Sequence, residues 1–285
     1  MILLYLILTG IIAGFLGSIV GIGGGIIIVP VLSLFFKIPI QNAIGASLVA
    51  VMATSISASR LFLRKNTVNI SLGLKLEIFT TAGAIAGGIL ISYMKTEILF
   101  GLFGALTFLL AYFTLRKNLF SKKNQIKNKQ FQIVANNIEE NERSYAYYYD
   151  GALKKNIGYN IVKLPIGFTT SFFAGIMSGL LGVGGGFIKV PTMNLLMNVP
   201  LKVATATSNF MIGITAVASA VIYLSRGLID PFIAMPVVLG VLAGGTLGSF
   251  TAYKVRNKAI VIILVFLFIL FGINMILKSF GINLY

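Results

Sequence analysis

The stretch GIGGGIIIVP at residues 21–30 returns as GVGGGFIKVP at 182–191. Glycine weakens a helix and proline interrupts one, yet both stretches lie inside apolar runs. In hydrocarbon an unpaired backbone amide is so costly that non-helical chain survives only when buried in protein or facing a wet cavity. Gly21, Gly23, Gly24 and Gly25, and Gly182, Gly184, Gly185 and Gly186, are therefore expected to face inward. A helix restarting after each run, near Ile26 and Phe187, has first amides without partners at the positive end of its dipole. Such an end can bind an anion through N–H groups that glycine leaves sterically open. Pro30 and Pro191 are expected in the first turns of those helices, where a missing N–H costs little. Two such ends meeting would make one central site. Close helix packing also uses glycine, and it suffices for GAIAGG at 83–88, but it does not require a triplet followed by proline.

Other candidates follow each break. Lys189 stands where the first copy has Ile28, inside an apolar run, where a charge is costly and marks function unless its stem carries it to an interface. Ser47, Ser208 and Asn209 fall on the helix beyond a second proline and offer neutral donors to an oxyanion or to a neighbouring helix. Lys37, beside Pro39, reads as a surface residue at a helix break.

The rest of the chain must position these groups in a membrane. Of 285 residues 57% are hydrophobic and 11% charged, with mean hydropathy +0.95; soluble domains are about a quarter charged. Apolar segments near 2–20, 26–59, 72–93, 97–115, 161–181, 187–224, 232–252 and 259–278 predict an all-α polytopic protein of about eight crossings. The first reads as a retained helix, since no basic region precedes it. Cysteine and histidine are absent, which removes disulfides, thiolate metal sites and the commonest general base. No metal, cofactor or enzymatic reaction is expected.

Residues from Gly14 to Ser47 match Gly175 to Ser208 at one constant offset, and GAIAGGILIS at 83–92 echoes GVLAGGTLGS at 240–249. This predicts two four-helix halves, 1–116 and 161–285, separated by a polar loop, 117–160. Four crossings per half imply halves of parallel orientation about an axis along the membrane normal; a short piece 26–36 that turned back instead of crossing would make the count odd and the halves inverted. Lysine and arginine favour the cytoplasm, so both termini and the loop are expected there. That bias accounts for much of the +16 charge without nucleic acid. In the loop, KQFQIVA and SYAYYYD around NNIEEN suggest a hairpin on a largely solvated linker. Four of the seven acids lie in the loop, and Glu77, Glu97 and Asp230 near expected membrane edges, so no buried carboxylate is anticipated. An interior-negative potential alone would then drive anion export.

The paired GxxxxxxGxGGGxxxVP elements, Gly14–Pro30 and Gly175–Pro191, each leading to a second proline and a small polar helix, resemble the sulfite exporter TauE/SafE family of membrane permeases. The resemblance implies a bacterial inner-membrane transporter of seven to nine helices for sulfur-containing anions such as sulfite or organosulfonates. It carries the motif glycines and Pro30 and Pro191 into the expected site. Its partners would be a small anion and the bilayer, with self-association into a homo-oligomer left open. An uptake permease for another solute and a membrane scaffold recruiting a partner through 117–160 stand as alternatives.

Overall fold

The computed structural model describes residues 1–119, 145–150, 155–252 and 258–282. Among them eight helices are long and apolar enough to cross a membrane. They are α1 (Ile2–Val20), α3 (Ile40–Arg64), α4 (Ile70–Leu90), α5 (Thr96–Leu119), α6 (Leu164–Leu181), α8 (Leu201–Ser225), α9 (Pro231–Ala252) and α10 (Lys258–Ser279). The two overlong apolar segments each resolve into a short helix, a turn and a spanning helix. The short helices are α2 (Gly25–Pro30) and α7 (Gly186–Pro191), prolonged by π-helical turns at Val31–Phe35 and Thr192–Leu196.

Local chemistry sets these boundaries. α1 and α6 stop where Gly21 and Gly182 turn left-handed, at φ 82° and 67°; a side chain there would be strained. α3 and α8 start after Pro39 and Pro200, each held extended. Asn69 caps α4, its Oδ1 accepting the Leu72 N–H at 2.9 Å.

Small residues let the helices close. α1 packs chiefly on α9, and α4 on α6. Gly10 lies against Val237 and Gly240, Gly14 against Val241 and Gly245, and Gly248 against Phe15 and Ser18, so α1 and α9 run parallel. Gly83 meets Phe172 and Gly87 meets Ile176, so α4 and α6 are also parallel. GAIAGG is thus a packing surface, as expected.

The direction of the halves differs from expectation. α3 and α8, equivalent by sequence, cross antiparallel: Val51 meets Ile212 while Ala58 and Phe62 cluster with Ala206. α5 and α10 do the same, with Gly101 beside Ser279 and Gly104 beside Gly272. α3 also runs parallel to α9, since Gly45 abuts Leu228 and Gly245 abuts Thr54 and Ser57. Hence α1 and α3 point the same way, and α2 with its π turn must run back between them. The returning piece makes the traverses per half odd, and this replaces the parallel relation inferred from four crossings.

One end of the bundle consequently holds both described chain ends. There Lys278 donates to the Ser33 carbonyl at 2.9 Å and lies over the Phe100 ring, at the start of α5. The other end holds a two-stranded antiparallel hairpin, β1 (Tyr145–Asp150) and β2 (Lys155–Asn160), pairing Tyr145 with Asn160. SYAYYYD supplies β1, but it pairs with Lys155–Asn160, a partner not in the expected hairpin, while KQFQIVA and NNIEEN lie outside the described residues. The hairpin is docked: Tyr148 and Tyr159 are buried, Asn69 Nδ2 donates to Tyr159 Oη at 2.8 Å, and Val162 N–H donates to the Met197 carbonyl. Burial holds the Tyr159 phenol above its ordinary pKa, so it stays a neutral hydrogen-bonding group.

Candidate functional site

The two glycine motifs meet at the centre of the bundle. Gly24 and Gly185, both left-handed, precede α2 and α7. The first bonds inside the short helices run from the Ile27 and Ile188 N–H groups to the Gly24 and Gly185 carbonyls. The amides of Gly25, Ile26, Gly186 and Phe187 therefore have no intrahelical partner. A methyl group added at Gly25 would stand 2.2 Å from the Gly182 carbonyl oxygen, and one at Gly186 would stand 2.1 Å from that of Gly21. Only glycine permits this approach, in which each short helix begins against the other half's broken turn.

Two serines fasten the crossing. Ser47 Oγ donates to the Gly182 carbonyl at 2.9 Å, and Ser208 Oγ to the Gly21 carbonyl at 3.3 Å. Both candidates thus hold backbone across the halves. Gly23 and Gly184 lie against Val51 and Ile212, both fully buried, which close the centre. Asn209 Nδ2 donates to the Thr205 carbonyl, while its buried Oδ1 has no partner, as is also true of Ser59, Ser178 and Ser219 Oγ. Buried polar atoms are nearly always paired, so these four groups mark the polar capacity of the interior.

Pro30 and Pro191 lie one turn further along than expected. Each is the last residue of a six-residue helix, past the first turn. Their missing N–H forfeits a bond to the carbonyl four residues back, and the chain then widens into the π turn. Lys37 is exposed, as a helix-break residue should be.

Lys189 neither snorkels nor stands alone. Its side chain is wholly buried and its Nζ lies 3.4 Å from Glu77 Oε2, with Glu77 itself 4% exposed. Thr215 joins them: Lys189 Nζ donates to Thr215 Oγ1 at 3.0 Å, and Thr215 Oγ1 donates to Glu77 Oε1 at 2.5 Å. Thr81 Oγ1 also donates to Oε1 at 3.3 Å. This overturns the expectation of no buried carboxylate. The apolar segment boundaries put Glu77 near a membrane edge, but α4 begins at Ile70 and carries it two turns inward. The signal was present, since a buried lysine needs an acid and Glu77 is inside an apolar segment. No group of three or more potential metal ligands occurs among the described residues.

A separate cavity of about 250 Å³ lies under the hairpin, lined by Asn66, Asn69, Ala146, Tyr148 and Tyr159.

A family model described as sulfite exporter TauE/SafE matches residues 6–275. "Probable membrane transporter protein YunE" of Bacillus subtilis is 30% identical over 281 residues, 96% of this chain and 97% of that protein. "Probable membrane transporter protein MJ0441" of Methanocaldococcus jannaschii is 25% identical, over 95% of this chain and 94% of its own. "Sulfite exporter TauE/SafE family protein 6" of Arabidopsis thaliana is 34% identical over 116 residues, 39% of this chain and 27% of that protein. No solved structure matches. With eight apolar helices and a family match over nearly its whole length, the chain belongs to the sulfite exporter TauE/SafE family of membrane transporters.

Proposed function

We propose that the protein is a permease of the bacterial inner membrane that moves a small anion, of the sulfur-containing class that its family is named for, in the direction of export. One observation carries the anion: two helices start head to head at the bundle centre, Gly25 against Gly182 and Gly186 against Gly21. Their four amides without intrahelical partners and the two converging positive dipole ends favour negative charge. The buried serine hydroxyls without partners are donors that an oxyanion could use. Substrate entry requires Val51 and Ile212 to part, as alternating access about a central site demands. The halves 1–116 and 161–285 act as inverted units, with 117–160 joining them.

Charge supports one orientation. The hairpin end carries Arg60, Arg64, Lys65, Lys163 and Lys202, and the α5–α6 connection adds nine basic residues between Arg116 and Lys155; the opposite end has Lys37, Lys95, Arg226 and Lys278. The hairpin end then faces the cytoplasm and the termini face outward, in place of the cytoplasmic termini expected from an even count. The test is release of radiolabelled sulfite and methanesulfonate from proteoliposomes. Protein-dependent release of either supports an anion permease; protein-dependent movement of neutral solutes alone would contradict it.

A further inference from the structure

We propose that Glu77 is a proton-binding residue that couples the passage of one proton to that of one monovalent anion, with Lys189 alternating between Glu77 and the anion. This rests on the anion-transport reading above. The pair is buried between α4, α7 and α8, and Thr215 bridges it by accepting from Lys189 and donating to Glu77. As it stands the cluster is electrically neutral, the only cheap condition in a low-dielectric interior. An anion joining Lys189 while Glu77 stays ionised would leave a net negative charge. A proton on Glu77 with no anion would leave Lys189 as a lone cation. Neutrality is kept only when both enter: a proton from water bonds to a Glu77 oxygen, the Lys189–Glu77 contact opens, and the ammonium turns to the anion. Exit reverses the steps, returning the proton to water on the other side, so net export runs when the internal anion exceeds the external by more than the inward proton gradient.

Position makes the exchange short. The Lys189 N–H bonds the Gly185 carbonyl, which places its backbone one turn into α7 from the glycine break, and Thr215 is one turn from Ile212 at the centre. The fold does not need the charges. The pair joins Glu77 of the first half to Lys189 of the second; at the offsets relating the halves the equivalent positions are Ile28 for Lys189, Ala234 for Glu77 and Thr54 for Thr215, all buried. The same architecture is therefore built twice, and only one of the two equivalent sets of positions carries the ion pair.

Other ionisable groups leave Glu77 to this partnership. α6, packed along α4, has no titratable side chain between 164 and 181. On α4 itself Thr81 donates to Glu77, while Lys75 is exposed. On α8, Lys202 lies in the first turn, Tyr223 Oη donates to the Gly179 carbonyl, and Arg226 beyond the last turn donates to the carbonyls of Gly88 and Ile89. α7 contributes Lys189.

The test uses proteoliposomes containing the full chain, a trapped pH dye, and labelled sulfite or methanesulfonate, the latter singly charged throughout the usable pH range. A pH gradient and a potassium-valinomycin potential are imposed separately. Wild-type flux is expected to follow the pH gradient, move one proton per methanesulfonate, and change less than twofold with potential. Glu77→Gln is expected to lose the pH-gradient response at least tenfold and become potential-driven, because Lys189 then stays charged. Wild-type flux driven by potential with no proton movement would overturn the coupling while leaving the permease intact, as would a Glu77→Gln protein that still follows the pH gradient. Failure of the wild type to move either anion would overturn the underlying anion reading and the coupling with it. The wild-type stoichiometry decides the matter even where Glu77→Gln does not fold.

Discussion

Lys189 shows how one residue's surroundings decide its meaning. Paired with Glu77 and Thr215 it is compensated, but loss of either charge leaves the other buried alone. Removing one partner of such a pair costs about 3–5 kcal/mol, whereas replacing both with well-packed apolar groups can be neutral. Lys189→Met and Glu77→Ala should each lower unfolding stability in detergent by that order. The double variant Glu77→Ala, Lys189→Ile, which reproduces the Ala234 and Ile28 at the equivalent positions of the opposite halves, should lose far less than the sum. Additive losses in this cycle would show that the residues do not act as a pair. Sequence singled out Lys189 because an apolar run makes a charge conspicuous. Glu77 escaped because hydropathy locates a segment's edge only to within a turn or two, and its depth depends on where Asn69 caps α4. Ser47 and Ser208 were legible as candidates but not in role, because their acceptors are carbonyls in the opposite half, far away in sequence.

At the scale of elements, the broken helices and the glycine seams were legible because their residue types leave few alternatives. A triplet of glycine with proline cannot continue a helix, and GAIAGG fits a close crossing. The return of α2 toward its starting side was not legible, since its apolar composition suits either a crossing or a turn back; tertiary contacts with α3 and with the Gly182 turn decide it. The seams make a prediction of their own. A methyl group at Gly175 would stand 2.0 Å from the Thr80 carbonyl oxygen, so α4 and α6 must separate to admit it. Gly175→Ala should cost about 1–3 kcal/mol of stability, read as a lowered midpoint of thermal unfolding. An unchanged midpoint would mean that α4 and α6 are not in this contact. The hairpin's anchor is milder: Tyr159→Phe removes the Asn69 bond and should cost about 0.5–1.5 kcal/mol, detectable as faster proteolysis at 145–160.

For the whole molecule, the odd number of traverses per half decides which side each end occupies. An even count put the hairpin and the termini together; the antiparallel pairing of α3 with α8 and of α5 with α10 puts them apart. The chain has no cysteine, so single cysteines report without background. Phe280→Cys and Tyr147→Cys, both at exposed positions, should react with an impermeant maleimide from opposite sides of the membrane, position 280 from outside in intact cells and position 147 only after permeabilisation. Labelling from the same side would restore the parallel arrangement.

If the crossing of the two broken turns is the anion site, sulfite flux in proteoliposomes depends on its glycines. The comparison is between wild type, Gly175→Ala as a packing control, and the Gly25→Ala, Gly186→Ala double variant, whose added methyl groups would force the crossing apart. Flux lost at least tenfold in the double variant, with the packing control still active, is the predicted result. Wild-type flux in the double variant would contradict it, and would assign those glycines to helix packing alone.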